Sequence, residues 1–544
     1  TINIVTKSTE LSEGGKVAAT VGNDGYLKTV MTYNTGVSDS GHAFSASFGR
    51  TAGDGYVDGT PFEGYSYFLG YGYKSNDGKN NLQFIVTGAP QVHGQRTTSY
   101  YNMATLEDYR DYGVKYNYNY GLRNGEGFNM RNNYYHKPIA SLNWELKLNN
   151  KTSLSATAYA SLGRGGGSGD LGRNGSFGFF SSSRWRNADN GYVLWDEVVK
   201  HNSGQSANWR YGSTSMGVDA STGQYIVNDE SFSSRSQYPR RNGWIQRNSV
   251  NSHNWFGAIA NLKTELAENL TLDVGFDSRF YKGLHYRNVR DLLGSDGYRD
   301  SRYNGAPNTN GVVAATKEYQ WPIGDVWNVF GDTDAEEKID RNNNGVIDYF
   351  GLYFQLEYLM DDISIFVQGS GSNKGYQREE FYLYANGDPL QYSEKSNIAG
   401  GTIKAGANWN IDAQNNLFAN AGYFSKQPNL NTVFQNYDQI ATPDDELFNE
   451  KIVGLELGYG YRSRTFDFNV NLYSTTWTDR FLFENVTING ERGEANFSGV
   501  KQVHTGVEFD GVWQLSPFVE LSGMFTIGDY AYAGDVTDNA VTTN

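Results

Sequence analysis

Cysteine is absent from the 544 residues. That excludes a disulfide scaffold and any zinc or iron–sulfur site built on thiolates. It leaves the compartment open, because an exported protein can also do without thiols. Proline is scarce, at 10 residues, which argues against a Pro-rich disordered polymer. Charged residues make up 19% and hydrophobic residues 38% of the chain, both below the average of soluble domains. The formal charge of -15 excludes bulk attraction to nucleic acid. No run of about 18 apolar residues exists, so no transmembrane helix is expected. The opening "TINIVTKSTE" lacks a basic region followed by an apolar core, so it does not read as a signal peptide. The expectation is either a cytoplasmic protein or a chain that does not open at its native start.

What takes the place of the missing residue types is Gly (64), Tyr (40) and Phe (30), with many Asn and Ser. An aromatic share of 15% exceeds what disorder tolerates. These residues fall in a pattern of period two. In "TFDFNVNLYSTTW", Phe466, Phe468, Val470 and Leu472 alternate with Asp467, Asn469, Asn471 and Tyr473. Alternation of this kind marks a β-strand with one greasy and one wet face. "LTLDVGFDSRFY" sets Leu272, Val274, Phe276 and Phe280 against Asp273, Asp277 and Arg279. "GLYFQLEY" and "GVEFDGVW" repeat the pattern around Phe354 and Phe509. Counted along the chain, about seventeen such segments occur, many near the ~10 residues that cross a bilayer at a tilt.

A soluble sandwich turns its greasy faces inward, whereas a membrane barrel turns them to lipid and keeps a polar lumen. The connections decide between the two. One set is tight: "SDSGH", "SNDGKN", "NNK", "AEN", "DD", "DAQNN" and "SP". After a first short outer turn at Asn23, the other set is long. It spans Gln91–Lys137, Gly163–Asn254, Lys282–Tyr349, Asn373–Ala399, Lys426–Asn449 and Thr478–Gln502. Short turns at one end and long loops at the other are the signature of an outer-membrane barrel. Tyr461, Trp477, Phe481, Tyr281, Trp409 and Tyr423 near strand ends fit interfacial girdles. The fold class expected is all-β, a transmembrane antiparallel β-barrel.

Local motifs add little chemistry. In "DRNNNGVID", Asp340, Asn342, Asn344 and Asp348 fall at positions 1, 3, 5 and 9 of a calcium loop, with Gly345 at the turn position. Position 12, which needs a bidentate Glu, is Gly351. The reading preferred is an Asn/Gly-rich loop entering a strand, with no metal site. "RGGGSG" (164–169) lacks the Lys-Ser/Thr and helix of a phosphate loop and reads as a flexible loop. His93 and His285 stand singly near strand ends, where a hydrogen bond is the simpler role than cargo contact. Glu379–Glu380 and Asp444–Asp445 read as solvated loop charge rather than an acid/base pair. No Gly-x-Ser-x-Gly context occurs. No enzyme activity and no cofactor is expected. The long loops carry Trp185, Trp195, Trp209, Trp244, Trp321 and Trp327 beside several Arg. Aromatics with planar cations can grip sugars, siderophores or peptides, or they can pack loop against loop.

Several stretches together resemble one family, the TonB-dependent outer-membrane receptors. "TINIVTK" (1–7) resembles the segment that closes the N-terminal plug of those proteins. "GDGYVDGTPFEGYSYFLGYGYK" with "GAPQVHGQR", "YYHKPIASLNW", "SLGRGGG", "HYRNVRDLLG", "ANAGYFSKQP", "NEKIVGLELGYGYRS" and "GVEFDGVW" resemble successive barrel segments in order. The resemblance implies a plugged 22-stranded barrel in the outer membrane of a Gram-negative bacterium, and import driven through TonB. On that reading residues 1–12 end the plug and connect it to the barrel, and residues 13–544 form the barrel, about five strands short. TonB would be reached through a region N-terminal to this chain, and the barrel would sit among outer-membrane lipids. The cargo expected is a metal chelate, an oligosaccharide or a peptide, bound by the loops 91–137 and 163–254. The alternative is a structural or docking subunit whose loops hold partners, such as a surface lipoprotein.

Overall fold

The computed structural model describes residues 7–96, 104–174, 183–228, 242–300, 302–303, 305–308, 311–434, 447–488, 491–534 and 539–543. Seventeen long strands dominate it. They are β1 (Gly14–Val21), β2 (Leu27–Asn34), β3 (His42–Gly53), β4 (Phe62–Lys74), β5 (Asn80–Gly88), β6 (Ile139–Lys147), β7 (Thr152–Asn174), β8 (Asn242–Ala267) and β9 (Leu270–Asp291). The series continues with β10 (Ile339–Leu359), β11 (Ile363–Glu380), β12 (Ser396–Asn410), β13 (Asn415–Lys426), β14 (Glu450–Arg462), β15 (Phe466–Ile488), β16 (Glu491–Ser516) and β17 (Val519–Tyr532). Each pairs antiparallel with the next in the chain. Short added strands complete a 20-stranded sheet. Among the described residues no pairing joins β1 to β17. Among the described residues no helix is long and apolar enough to cross a membrane.

The sheet has two chemically distinct faces. On one, Phe276, Leu352, Leu455, Leu472 and Val507 stand exposed. On the other, polar side chains bond across strands: Asn261 Nδ2 donates to Asp273 at 3.0 Å, Asn469 to Asp510 at 3.0 Å and Asn420 to Glu456 at 3.1 Å. Such cross-strand polar pairs satisfy the inward face of a barrel, while the mainly apolar rows suit lipid. The N-terminal residues lie on the polar face. The Ser8 N–H donates to Gln83 Oε1 at 3.0 Å, and Lys7 pairs with Glu145 at 2.8 Å. A Cβ added at Gly70 would stand 2.4 Å from Ser8 Oγ. Glycine here lets the N-terminal segment seat against the wall.

The structure corrects the sequence reading at several places. The strands run well beyond their bilayer portions: β7 has 23 residues and β8 has 26. "RGGGSG" is therefore not a flexible loop. It lies within β7, paired with Ser249 and Val250 on one side and Tyr134 and Tyr135 on the other. Glycine hides the alternation because it has no side chain to alternate. It is needed there because a Cβ at Gly166 would stand 2.5 Å from the Ser249 carbonyl oxygen. Second, the loop expected over Thr478–Gln502 is a continuation of β15 and β16, paired down to Ile488 and Glu491. Third, Tyr281 and Trp477 are not girdle residues. Their odd-numbered positions put them on the polar face, where Tyr281 meets Trp255 at 6.1 Å and Trp477 meets His504 at 4.5 Å.

Candidate functional site at the long-loop end

The loops above the sheet fold into a cap with its own core. Trp185 meets Trp244 edge-on at 4.7 Å and Trp209 at 4.8 Å, and all three are buried with Trp195 and Val198. The helix Trp195–Asn202 contributes Trp195, Val198 and His201 to that interior. The parallel pairing of Val193–Leu194 with Gly121–Leu122 ties the loop 163–254 to the loop 91–137. A second parallel pairing, Ile226–Asn228 with Gly297–Arg299, brings in the next loop. The Arg186 guanidinium lies 3.4 Å over the Tyr118 ring. Of the tryptophans weighed as cargo contacts, Trp185, Trp195, Trp209, Trp244 and Trp321 are therefore packing residues, and Trp327 stays partly exposed.

Burial shapes the cap's titrating groups. It pushes the Tyr116 phenol up to about 12 and holds His201 below its ordinary imidazole value. His201 Nδ1 lies 3.1 Å from Thr214 Oγ1. The Arg299 guanidinium, bonded to Asp219, holds that carboxyl well below the usual range.

Beneath the cap, on the inward face, lies a cavity of about 310 Å³, within the range of ~300–1,000 Å³ that suits small ligands. Its lining includes Asn251, His285, Arg341, Asn343, Arg378 and Asn431. These side chains reach it because strand parity continues upward. Asp273 and His285 are both odd positions of β9, Gln355 and Asn343 are odd positions of β10, and Arg341 stands in the bulge where β10 passes Tyr286 and Arg287. Glu379 and Glu380 are not solvated loop charge but end β11, buried: Glu379 pairs with Lys282 at 2.7 Å, and Arg378 Nη2 bonds Glu380 Oε2 at 2.5 Å. The segment 427–434 folds over as a wall, with Tyr376 Oη donating to the Pro428 carbonyl at 2.6 Å. Leu430 fills the space above Gly345.

Of the loops expected to bind cargo, 163–254 reaches this cavity through Ser249–Asn251. His285 is brought into it, and His93 is not among its lining residues. Sequence reasoning passed over Arg341, Asn343 and Arg378, because the strands were ended too early to include them. Asp340, Asn342, Asn344 and Asp348 stand along β10 rather than in a loop. At ~3.3 Å per residue the first and last lie on the order of 26 Å apart. Each has its own surroundings: Asp340 bonds Arg287, Asn344 donates to Glu379 at 2.7 Å, and Asp348 bonds Lys395. The four do not converge on one point.

No family model matches the sequence, and no curated protein matches it. Solved structures do. The copper transporter OprC aligns at 11% identity with a TM-score of 0.55, over 94% of this chain and 61% of its own. The closed form of the ferric-catecholate import receptor Fiu from K12 E. coli gives 12% and 0.56, over 96% and 65%. BauA, the ferric preacinetobactin receptor from Acinetobacter baumannii, gives 10% and 0.52, over 95% and 61%. The class the fold defines is thus a large antiparallel β-barrel, the fold of that copper transporter and those two receptors. More narrowly, the likeness extends over nearly the whole of this chain, 94–96% of it. The chain spans about 60% of the length of the structures it matches.

Proposed function

We propose that this chain is the greater part of a TonB-dependent receptor of a Gram-negative outer membrane, and that its cargo is an anionic metal chelate. The observation that carries the cargo class is the cavity holding Arg341 and Arg378 with His285 and a set of Asn amides. Guanidinium forks suit the oxygen donors of carboxylate or catecholate groups, and amides suit the remaining acceptors. The names of the similar structures, a copper transporter and ferric-chelate receptors, point the same way. An oligosaccharide or neutral peptide would have less use for the Arg341 guanidinium; Arg378 is already held by Glu380. On this reading residues 1–12 end a plug, and the contacts of Lys7 and Ser8 with Glu145 and Gln83 are its last hold on the wall. TonB would act on the plug from the periplasm.

Energised uptake of ferric and cupric chelates by cells carrying the full-length protein, with and without TonB, tests this reading. Arg341→Gln is expected to weaken chelate binding about ten- to a hundredfold, since a hydrogen bond to a charged group contributes ~1.5–3 kcal/mol. Barrel assembly should be unchanged. Uptake independent of TonB, with a surface lipoprotein co-purifying, would replace import by the docking role.

A further inference from the structure

Residues 319–333 leave the cap and run down the outside of the sheet. Both ends are tied to the extended parts of β8 and β9. The Tyr319 N–H donates to the Val289 carbonyl at 2.8 Å, and Asn248 Nδ2 donates to the Tyr319 carbonyl at 2.9 Å. At the other end Asn288 Nδ2 donates to Thr333 Oγ1 at 2.6 Å. Asn248 and Asn288 are cross-strand partners at even-numbered positions. Lower on the same strands that parity carries Phe256 and Phe280, which are exposed on the apolar face. The strap therefore lies on the lipid side of the wall, not on the lumen side.

Between its ends the strap grips the barrel by aromatic contacts. Trp321 stacks on Tyr134 with ring centroids 5.1 Å apart and planes within 8°. His136 Nδ1 donates to the Val326 carbonyl at 3.1 Å. The Trp327 ring stacks on Tyr67 at 5.5 Å and tilts against Tyr65 at 6.0 Å. Tyr65 and Tyr67 head the row on β4 that continues with Leu69 on the same outward face. Arg164 Nε donates to the Gly331 carbonyl at 3.2 Å and closes the lower turn. Yet Trp327 remains 38% and Phe330 78% exposed, at the upper edge of the lipid-facing row.

We propose that residues 321–330 are an interfacial anchor: Trp327 and Phe330 rest in the outer leaflet at the boundary of headgroups and acyl chains. The occupant of this surface is membrane lipid, because the aromatic row is continuous with the apolar face that lipid already covers. Indole and phenyl rings favour that depth. The same loop supplies Leu293 and Ala315 to the buried cores of the cap. The anchor thus sets the height of the cap above the bilayer. The proposal rests on the placement of the barrel in a bilayer.

The absence of native cysteine allows single-cysteine variants of the full-length protein, labelled with an environment-sensitive fluorophore in phosphatidylcholine vesicles. The vesicles carry bromine either near the headgroup or in mid-chain. Phe330→Cys should lose emission with shallow bromine, as should Asn328→Cys, which serves if the first variant assembles poorly. Phe276→Cys, on the apolar face, should lose emission with deep bromine, and Tyr211→Cys, on the cap, with neither. Quenching at 276 but not at 328 or 330, whether because the strap stands clear of lipid or because a partner protein shields it, would overturn the anchor. No quenching at 276 would overturn the bilayer placement itself.

Discussion

Single residues on β15 show what alternation can and cannot give. Phe468 and Asn469 face opposite ways, and Asn469 bonds Asp510 on the polar face while Phe468 stacks on Phe509 at 5.8 Å. Their depth is another matter. β15 starts at Phe466, directly after the short turn 463–465, so Phe468 lies near the periplasmic boundary. Leu472, about six residues in, lies near the midplane of a strand that needs ~10 residues to cross. Leu472→Arg should cost about 2–4 kcal/mol, and Phe468→Arg only about 0–1 kcal/mol. Asn471→Arg, on the lumen side, should cost less than Leu472→Arg. Denaturant titration of the protein refolded into vesicles measures all three. A second residue-scale prediction concerns Gly166, whose added Cβ would stand 2.5 Å from the Ser249 carbonyl and 2.8 Å from Tyr134 Oη. Gly166→Val should cost about 1–3 kcal/mol in the cap-side hairpin. Protease cleavage should rise above the bilayer while the membrane portion keeps its heat-modifiable migration.

At the level of elements, the cap is the part least visible in the sequence. Its tryptophans obey no period, so nothing marked Trp185, Trp209 and Trp244 as one cluster; only the fold brings them within 4.7–6.4 Å of one another. The cap should respond to acid. Because burial lowers the His201 value in the folded cap, the unfolded segment takes its proton first as pH falls. The contribution of neutral His201 is complete above the ordinary imidazole value of about 6.5 and is lost as pH drops below it. Asp219, held low by Arg299, keeps its contribution down to the ordinary carboxyl range near 3.9 and loses it below. Tryptophan emission and protease resistance of the cap should therefore weaken in two stages, first below about pH 6.5 and again below about pH 4. His201→Asn should shrink the first stage, to which His285, also held low by burial, contributes, and leave the second.

For the whole molecule, seventeen long strands in one antiparallel meander match the number read from alternation. The polar face they share would form a wide aqueous passage if left empty. Side chains such as Asp273, Gln355 and Gln368 line a lumen-side hollow, where the plug of the proposed receptor would meet them. On the proposed function, deleting the plug of the full-length receptor raises passive leak of small solutes in liposome swelling and abolishes energised uptake. Removing the cap residues 104–128 and 183–228 should weaken cargo binding while the barrel still inserts.

The sequence by itself determined the sheet: period-two alternation depends only on the local geometry of a strand, and turn residues mark where each strand reverses. It also determined which face is polar, since Asn, Asp and Gln recur at one parity and Leu, Val and Phe at the other. It placed His285 near a strand end without showing its neighbours. Tertiary structure alone decided how far the strands rise past the bilayer, because glycine in "RGGGSG" carries no alternating side chain. It alone gathered Arg341, Asn343 and Arg378 with His285 from three strands into one cavity, and it alone laid Trp327 on Tyr67 across the outside of the wall. Those contacts join residues far apart in the chain, and their register is fixed by pairing and packing that no local pattern encodes.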